Sequence, residues 1–325
     1  MRGIGCRIIF FVLLLPLGGG CGKGKENPSS SGGAAAGSAE LRHFTDPSGG
    51  VFTLAGIPER IISSAPSNTE IVIDLGLGKK LIAVDAYSAG LEGLADNLPL
   101  IDFAYPDAEA IIALRPDLIL ASEHNRIGEN DPFRLIREAG IGVAYIPTSG
   151  GIAGIYRDID FIAGLLGVRG RGERLSRSVR ETIDRIGAIG SAIPERKTVY
   201  FEISPPPHIV SFGRGTFLHE MLELIGAENI FAETTGWIAP GAEAIVAADP
   251  QVILTNAVVP GGAGLTGTLP DPVKEILARP GFGGVRAVRN RAVYRIDADS
   301  SSRPNHRIIR ALHEMARAVY PEYYE

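Results

Sequence analysis

The sequence predicts an α/β protein of two lobes, each a mainly parallel sheet flanked by helices, with a long helical segment between them. Three observations lead to that fold class. The segment Ala108–Leu120 (AEAIIALRPDLIL) returns 134 residues later as Ala242–Leu254 (AEAIVAADPQVIL), with eight of thirteen positions identical. Each copy writes a short amphipathic helix, a Pro-containing turn and a buried apolar strand. A single repeat at so long a period fits two lobes of like build, not a solenoid of many short units. Short apolar strands also alternate with helical segments on both sides of the chain's middle, the pattern of parallel sheets whose binding loops lie at the carboxyl ends of the strands. Between them, residues 152–189 lack strand alternation and carry helical spacing through Ile155, Ile159, Ile162 and Leu166, then through Leu175, Val179, Ile183 and Ile186. The length of 325 residues also exceeds what one hydrophobic core usually supports.

In chain order, residues 1–20 are a different material. Arg2 and Arg7 precede the apolar run Ile8–Leu15, which is followed by Pro16-Leu17-Gly18-Gly19-Gly20-Cys21. A basic start, an apolar stretch too short to span a membrane and small residues before a cleavage point make an export signal. The Cys directly after the small residues points to a lipoprotein signal, with Cys21 acylated as the mature N-terminus, although Gly18 stands where Leu is commonest. Cys6 leaves with the leader, so the mature chain would hold one thiol and no internal disulfide. Residues 21–40 are small and polar and read as a flexible tether.

The N-terminal lobe is expected over 41–151. A strand pair closes at Asp46-Pro47-Ser48-Gly49-Gly50, and a strand follows at Ile61–Ser64. A helix comes next from about Thr69 to Leu75, capped by Asn68 and stopped by Gly76. Strand Leu81–Val84, the first repeat, helix Pro132–Ala139 and strand Val143–Ile146 complete this lobe. Residues 152–194 form the interlobe helical segment, interrupted near 167–172, with one long helix over about 172–189. In the C-terminal lobe, 195–325, the sequence predicts strand Thr198–Ile203 and helix Phe217–Ile225. The second repeat, a Gly-rich loop at 260–267, strand Ala292–Ile296 and a closing helix Arg303–Val319 follow.

Composition narrows the function. Net charge is −5, and the leader carries two positive charges and no acid, so the remainder stands at −7. With no basic stripe, nucleic-acid binding is excluded. Catalytic signatures fail in turn. His219-Glu220 and His313-Glu314 begin like a zinc-protease helix, but Glu223 and Arg317 stand where the second His would be. Ala86-Tyr87-Ser88-Ala89-Gly90 imitates a nucleophile elbow with Ala for its first Gly, so a secreted Ser hydrolase using Ser88 is a remote alternative. No catalytic residue, no metal ligand set and no cofactor is assigned.

Binding residues are easier to place. Tyr87, Phe103, Ser122, His124, His208, Phe212 and the lone Trp237 all fall on loops at expected strand ends. Rigid aromatics around one cleft suit a broad, partly apolar ligand with polar edges. Glu109 and Glu243 open the two repeated helices, each six residues after an aromatic, Phe103 and Trp237. The helix dipole favours a carboxylate there, but two at equivalent positions argue for a paired docking surface that meets basic residues of a partner.

Residues 60–88 (RIISSAPSNTEIVIDLGLGKKLIAVDAYS), 109–122 (EAIIALRPDLILAS), 223–231 (ELIGAENIF), 243–254 (EAIVAADPQVIL) and 302–308 (SRPNHRI) resemble the substrate-binding proteins of ABC importers for iron chelates and cobalamin. The resemblance runs from about Thr45 to the C-terminus. It implies two α/β lobes joined by one rigid long helix, with a ferric siderophore, cobalamin or haem held between them and delivered to a permease and its ATPase. By the same resemblance, Glu109 and Glu243 fall where the family docks onto permease arginines, and Tyr87, Phe103 and Trp237 fall on cleft aromatics of its cobalamin-binding member. This sequence departs from that member at Ser122, where it has Trp, and in a longer 204–215 loop carrying His208. SRPNHRI has Asn305-His306 where Gly-Pro is usual. The expectation is therefore a monomeric, lipid-anchored, extracytoplasmic solute-binding protein for a metal chelate. The alternatives are a haem-specific binder using Tyr87, His124 or His208, or a binder of free divalent metal.

Overall fold

The computed structural model describes residues 41–126, 130–257 and 271–324. The leader, the tether with Cys21 and the Gly-rich loop at 260–267 lie outside these. Residues 39–325 form one compact unit.

Two parallel sheets carry the architecture. The first has five strands in the order Leu100–Ile101, Leu81–Asp85, Ile61–Ser63, Leu118–Ser122, Gly142–Ile146. The second has four, in the order Glu228–Asn229, Thr198–Glu202, Val252–Thr255, Val293–Arg295. In both, the strand of the repeat pairs in parallel with the first strand of its sheet: Leu118 lies beside Ile61, and Val252 beside Val199. A hairpin, Arg42–Thr45 with Val51–Leu54, lies against the edge of the first sheet, where Asp46 accepts the Tyr145 amide.

The repeat extends into backbone detail. Its helices run Ala108–Ala113 and Ala242–Ala248, and each is followed by a residue at positive φ just before a proline, Arg115 at 50° and Asp249 at 44°. Neither is glycine, so each must be held there. An arginine does so in both lobes by donating to carbonyls at the helix end. Arg60 reaches Leu114 and Arg115, and Arg286 reaches Asp249. Two residues further on, Asp117 and Gln251 each accept the amide that opens the neighbouring strand, from Arg60 and Thr198.

Helices Ile152–Leu165 and Arg169–Ser191 pack antiparallel between the sheets. At 23 residues the second is about 34 Å long, enough to join both lobes. Gly167, at φ 72°, makes the turn between them. Apolar residues of both sheets and of these helices form one continuous core, from Ile61 and Leu120 through Ile159, Ile162, Val179, Ile183 and Ile186 to Val199, Leu222 and Leu312. Smaller clusters cover the outer face of each sheet, around Ile119 and Tyr145 in one lobe and Ile253 and Phe282 in the other.

Three expectations need correction. The first helix begins at Pro66, with Ala65 in the capping position. Asn68 lies inside its first turn, buried, and donates its amide to the Ala121 carbonyl. Proline fits a first helical position because no acceptor waits for its missing N–H. The long helix starts at Arg169 rather than 172. The closing helix begins at Ile308 rather than Arg303, because Pro304 cannot continue a helix; a separate short helix, Ala298–Ser302, precedes the irregular segment 303–307.

Candidate functional site

The carboxyl ends of the first sheet and residues 302–304 of the second lobe converge on a recess of about 140 Å³. Phe103, Ser122 and His124 line it from one side, with Asn68 and Asp158 beside them, and Arg303 closes the other. The structure thus gathers three of the expected binding residues at one cleft. Ser122 sits at a strand end and caps the short turn Glu123–Asn125, accepting from the His124 amide. Asn125 fixes that turn: its carbonyl oxygen accepts from Ser64 and Ser122, and its amide donates to Ser64 and Phe103 carbonyls. His124 is left exposed at the rim.

Tyr87 follows the strand Leu81–Asp85 on a single 3-10 turn capped by Asp85, which accepts the Tyr87 amide at 2.8 Å. Its ring meets Phe103 edge to face at 5.9 Å and is 69% exposed. In the other lobe Trp237 pairs with Phe212 in a two-stranded antiparallel ribbon. Phe212 is fully buried and, with Phe217, supports the indole edge to face at 6.3 Å from each ring, leaving Trp237 54% exposed. Phe212, expected at the ligand surface, is therefore the seat of Trp237 and offers no surface of its own. His208 is exposed on the loop after Thr198–Glu202, outside the recess. Glu109 and Glu243 are exposed in the first turns of their helices.

Two polar groups around the cleft, Asp158 buried and Arg303 partly buried, were not expected from the sequence. Asp158, on helix Ile152–Leu165, is 6% exposed, and Ser149 donates to it at 2.6 Å. Burial pushes its carboxyl up to about 6, against the opposing pull of that hydrogen bond and of Arg157. Arg303 is held by Glu70 at 2.7 Å and Asp299 at 2.8 Å. The segment 303–307 continues this link across the lobes. Asn305 donates to Glu70, His306 pairs with Asp74, and Arg307 donates twice to Asp74 at 2.9 Å. Burial pushes the Asp74 carboxyl up, but the bonds from His306 and Arg307 win and hold it well below the ordinary range. Asn305 and His306, where Gly-Pro is usual, are thus interlobe ties to the helix Pro66–Asp74.

Ser88 has no nucleophilic setting. It is fully buried, donates to Asp85 at 2.5 Å and lies 3.0 Å from Thr69 Oγ1, so no substrate carbonyl can reach it. Among the described residues no three His, Cys, Asp or Glu side chains converge as a metal site. A roomier recess of about 770 Å³ lies between helices Ile152–Leu165, Arg169–Ser191 and Phe217–Leu224, away from the cleft aromatics.

Two like-built lobes on one continuous core, bridged by a long helix and with a recess between them, give the architecture of a bilobal binding protein. The chain belongs to the periplasmic binding protein family, which matches residues 61–300. That family is one of solute-binding proteins. The chain is 31% identical over 275 residues to YvrC, an ABC transporter substrate-binding lipoprotein of Bacillus subtilis, covering 83% of this chain and 82% of that one. It is 26% identical over 266 residues to the vitamin B12-binding protein of Vibrio parahaemolyticus, covering 81% and 90%. Among solved structures, the periplasmic haem-binding protein RhuT of Roseiflexus sp. RS-1 superposes with a TM-score of 0.69 at 26% identity, covering 81% and 98%. Among the described residues no helix is long and apolar enough to cross a membrane.

Proposed function

We propose that this chain is a lipoprotein, anchored through Cys21, that captures a metal chelate between its lobes and delivers it to an ABC permease. The observation that carries the ligand class is the pair of supported, exposed aromatics: Tyr87 braced by Phe103, and Trp237 braced by Phe212 and Phe217. Rigid rings held in place by other rings offer a broad, partly apolar ligand a preformed contact. The recess between the lobes is smaller than the usual ligand pocket of roughly 300–1,000 Å³. It suits one polar appendage, and the body of a broad ligand rests on the aromatic rim. The vitamin B12-binding and haem-binding relatives support a cobalamin or haem ligand, and a ferric siderophore suits the same rim.

Haem is the second reading, favoured by Tyr87 and His124, both exposed at the cleft edge with an oxygen and a ring nitrogen free to approach iron. Fluorescence of the lone Trp237 in the chain from Gly22 onward, titrated with cobalamin, haemin and ferric siderophores under an inner-filter control, tests both. Saturable quenching by one chelate names the ligand. Quenching by none removes Trp237 from the site. A haemin Soret band that moves on Tyr87→Phe or His124→Ala assigns the iron ligand.

A further inference from the structure

The strands of the first sheet point their carboxyl ends at the cleft, so the helix Ile152–Leu165, which follows the last of them, runs away from it. Its turn into Arg169–Ser191 lies at the opposite end of the lobe. There Arg42, Arg169, Arg171 and Arg174 line a recess of about 550 Å³ whose remaining walls are Gly164, Gly167, Val168 and Gly170. No acidic side chain lines it, and all four arginines are exposed. Among the described residues none of them takes part in an ion pair. Arg171 donates to the Leu75 carbonyl at 2.8 Å, and Arg42 lies 4.9 Å over the Phe44 ring. The long helix begins at Arg169 with no acid in its first turn, which adds the positive end of its dipole. In a chain of net charge −5 this is a local reversal of sign, lined by glycines that leave the guanidinium groups accessible. Arg42 also stands two residues beyond the tether that ends at residue 40.

We propose that this face rests on anionic phospholipid headgroups of the membrane that carries the anchor. The placement rests on the lipoprotein reading of Cys21. Guanidinium forks match phosphate oxygens two at a time, and basic groups beside an anionic surface are attracted within a Debye length of it. With this face down, the cleft points away from the membrane and is open to an arriving ligand. Docking to a permease then requires the loaded protein to leave the lipid surface and turn over.

The test uses the chain from Gly22, which lacks Cys21 and contains the whole compact unit Ala39–Glu325. It is sedimented at low ionic strength with vesicles of mixed phosphatidylglycerol and phosphatidylcholine, and with pure phosphatidylcholine. It should bind the anionic vesicles and not the neutral ones. The combined variant Arg42→Glu, Arg169→Glu, Arg174→Glu, which spares the Arg171 bond to Leu75, should lose about tenfold or more of that binding. Its melting temperature and ligand quenching should stay unchanged, and the milder Arg→Gln set should show the same loss if the reversals disturb folding. Equal binding to both vesicles, or undiminished binding by both variant sets, overturns the proposal. Competition by free glycerol phosphate as strong as that by vesicles also overturns it, in favour of a small-anion site. Since the protein tested carries no anchor, the outcome is separate from acylation of Cys21, which mass spectrometry of the mature N-terminus decides.

Discussion

Trp237 concentrates the expected binding energy in one side chain. It is more than half exposed, yet two rings hold it edge to face, so it meets a ligand with little entropy left to lose. Central aromatic anchors of this kind contribute about 2 kcal/mol or more. Trp237→Ala should therefore weaken chelate binding by more than about tenfold in calorimetric titration, with little change in melting temperature; unchanged affinity would place the ligand elsewhere. Asp158 makes the opposite kind of prediction, about stability. Its carboxyl titrates near 6 in the folded protein, against an ordinary value of 3.8, because burial disfavours the anion. The folded state thus holds the proton more tightly, and this contribution is complete below about pH 4 and lost as pH rises through 6. A shift from 3.8 to about 6 corresponds to about 3 kcal/mol at most. Asp158→Asn keeps an acceptor for the Ser149 hydroxyl and removes the ionisation, so it should raise the melting temperature at pH 7.5 and leave it nearly unchanged at pH 4. Equal effects at both pH values would mean that Asp158 is not ionising in its buried position.

At the scale of elements, the tightest crossing lies between the long helix and the end of helix Phe217–Leu224. A Cβ on Gly190 would stand 2.0 Å from the Leu224 carbonyl oxygen and 2.7 Å from the Gly226 nitrogen, both backbone atoms that cannot swing aside. Gly190→Ala should cost about 1–3 kcal/mol in urea unfolding, and a wild-type midpoint would show that the two elements can slide apart. The repeated helix–turn–strand units, the interlobe helices and most strand cores were legible from the sequence, because apolar periodicity and Pro-Gly punctuation are local signals. What escaped was mostly long-range. Glu70 meets Arg303 and Asn305 across 233 and 235 residues of chain, and no spacing rule reaches so far. The burial of Phe212 was hidden for the same reason: strand-end position marks a residue as near the cleft, but only the partner strand shows which face of the ribbon it occupies. The closing helix falls short of its expected start at Arg303 because the apolar spacing that marks it begins only at Ile308, beyond Pro304.

For the whole molecule, the proposed capture and delivery make separable demands. Glu109 and Glu243 stand exposed in the first turns of the two repeated helices, and neither lines the recess between the lobes. Their backbone settings match down to the positive-φ residue and the arginine that caps each helix end. Such equivalence gives a partner two acidic points on like-built lobes. Paired charges of this kind set register and speed of encounter more than affinity. Glu109→Lys together with Glu243→Lys should leave chelate affinity within about twofold, since surface changes away from a site are usually near neutral. Uptake of the chelate by cells or by permease-containing vesicles should collapse, because like charges would face each other at both points. The single reversals should fall between, each leaving one point to hold register. If uptake survives the double reversal, the permease reads some other surface; if affinity falls with it, the glutamates belong to the ligand site and docking has not been tested at all until they are restored one at a time.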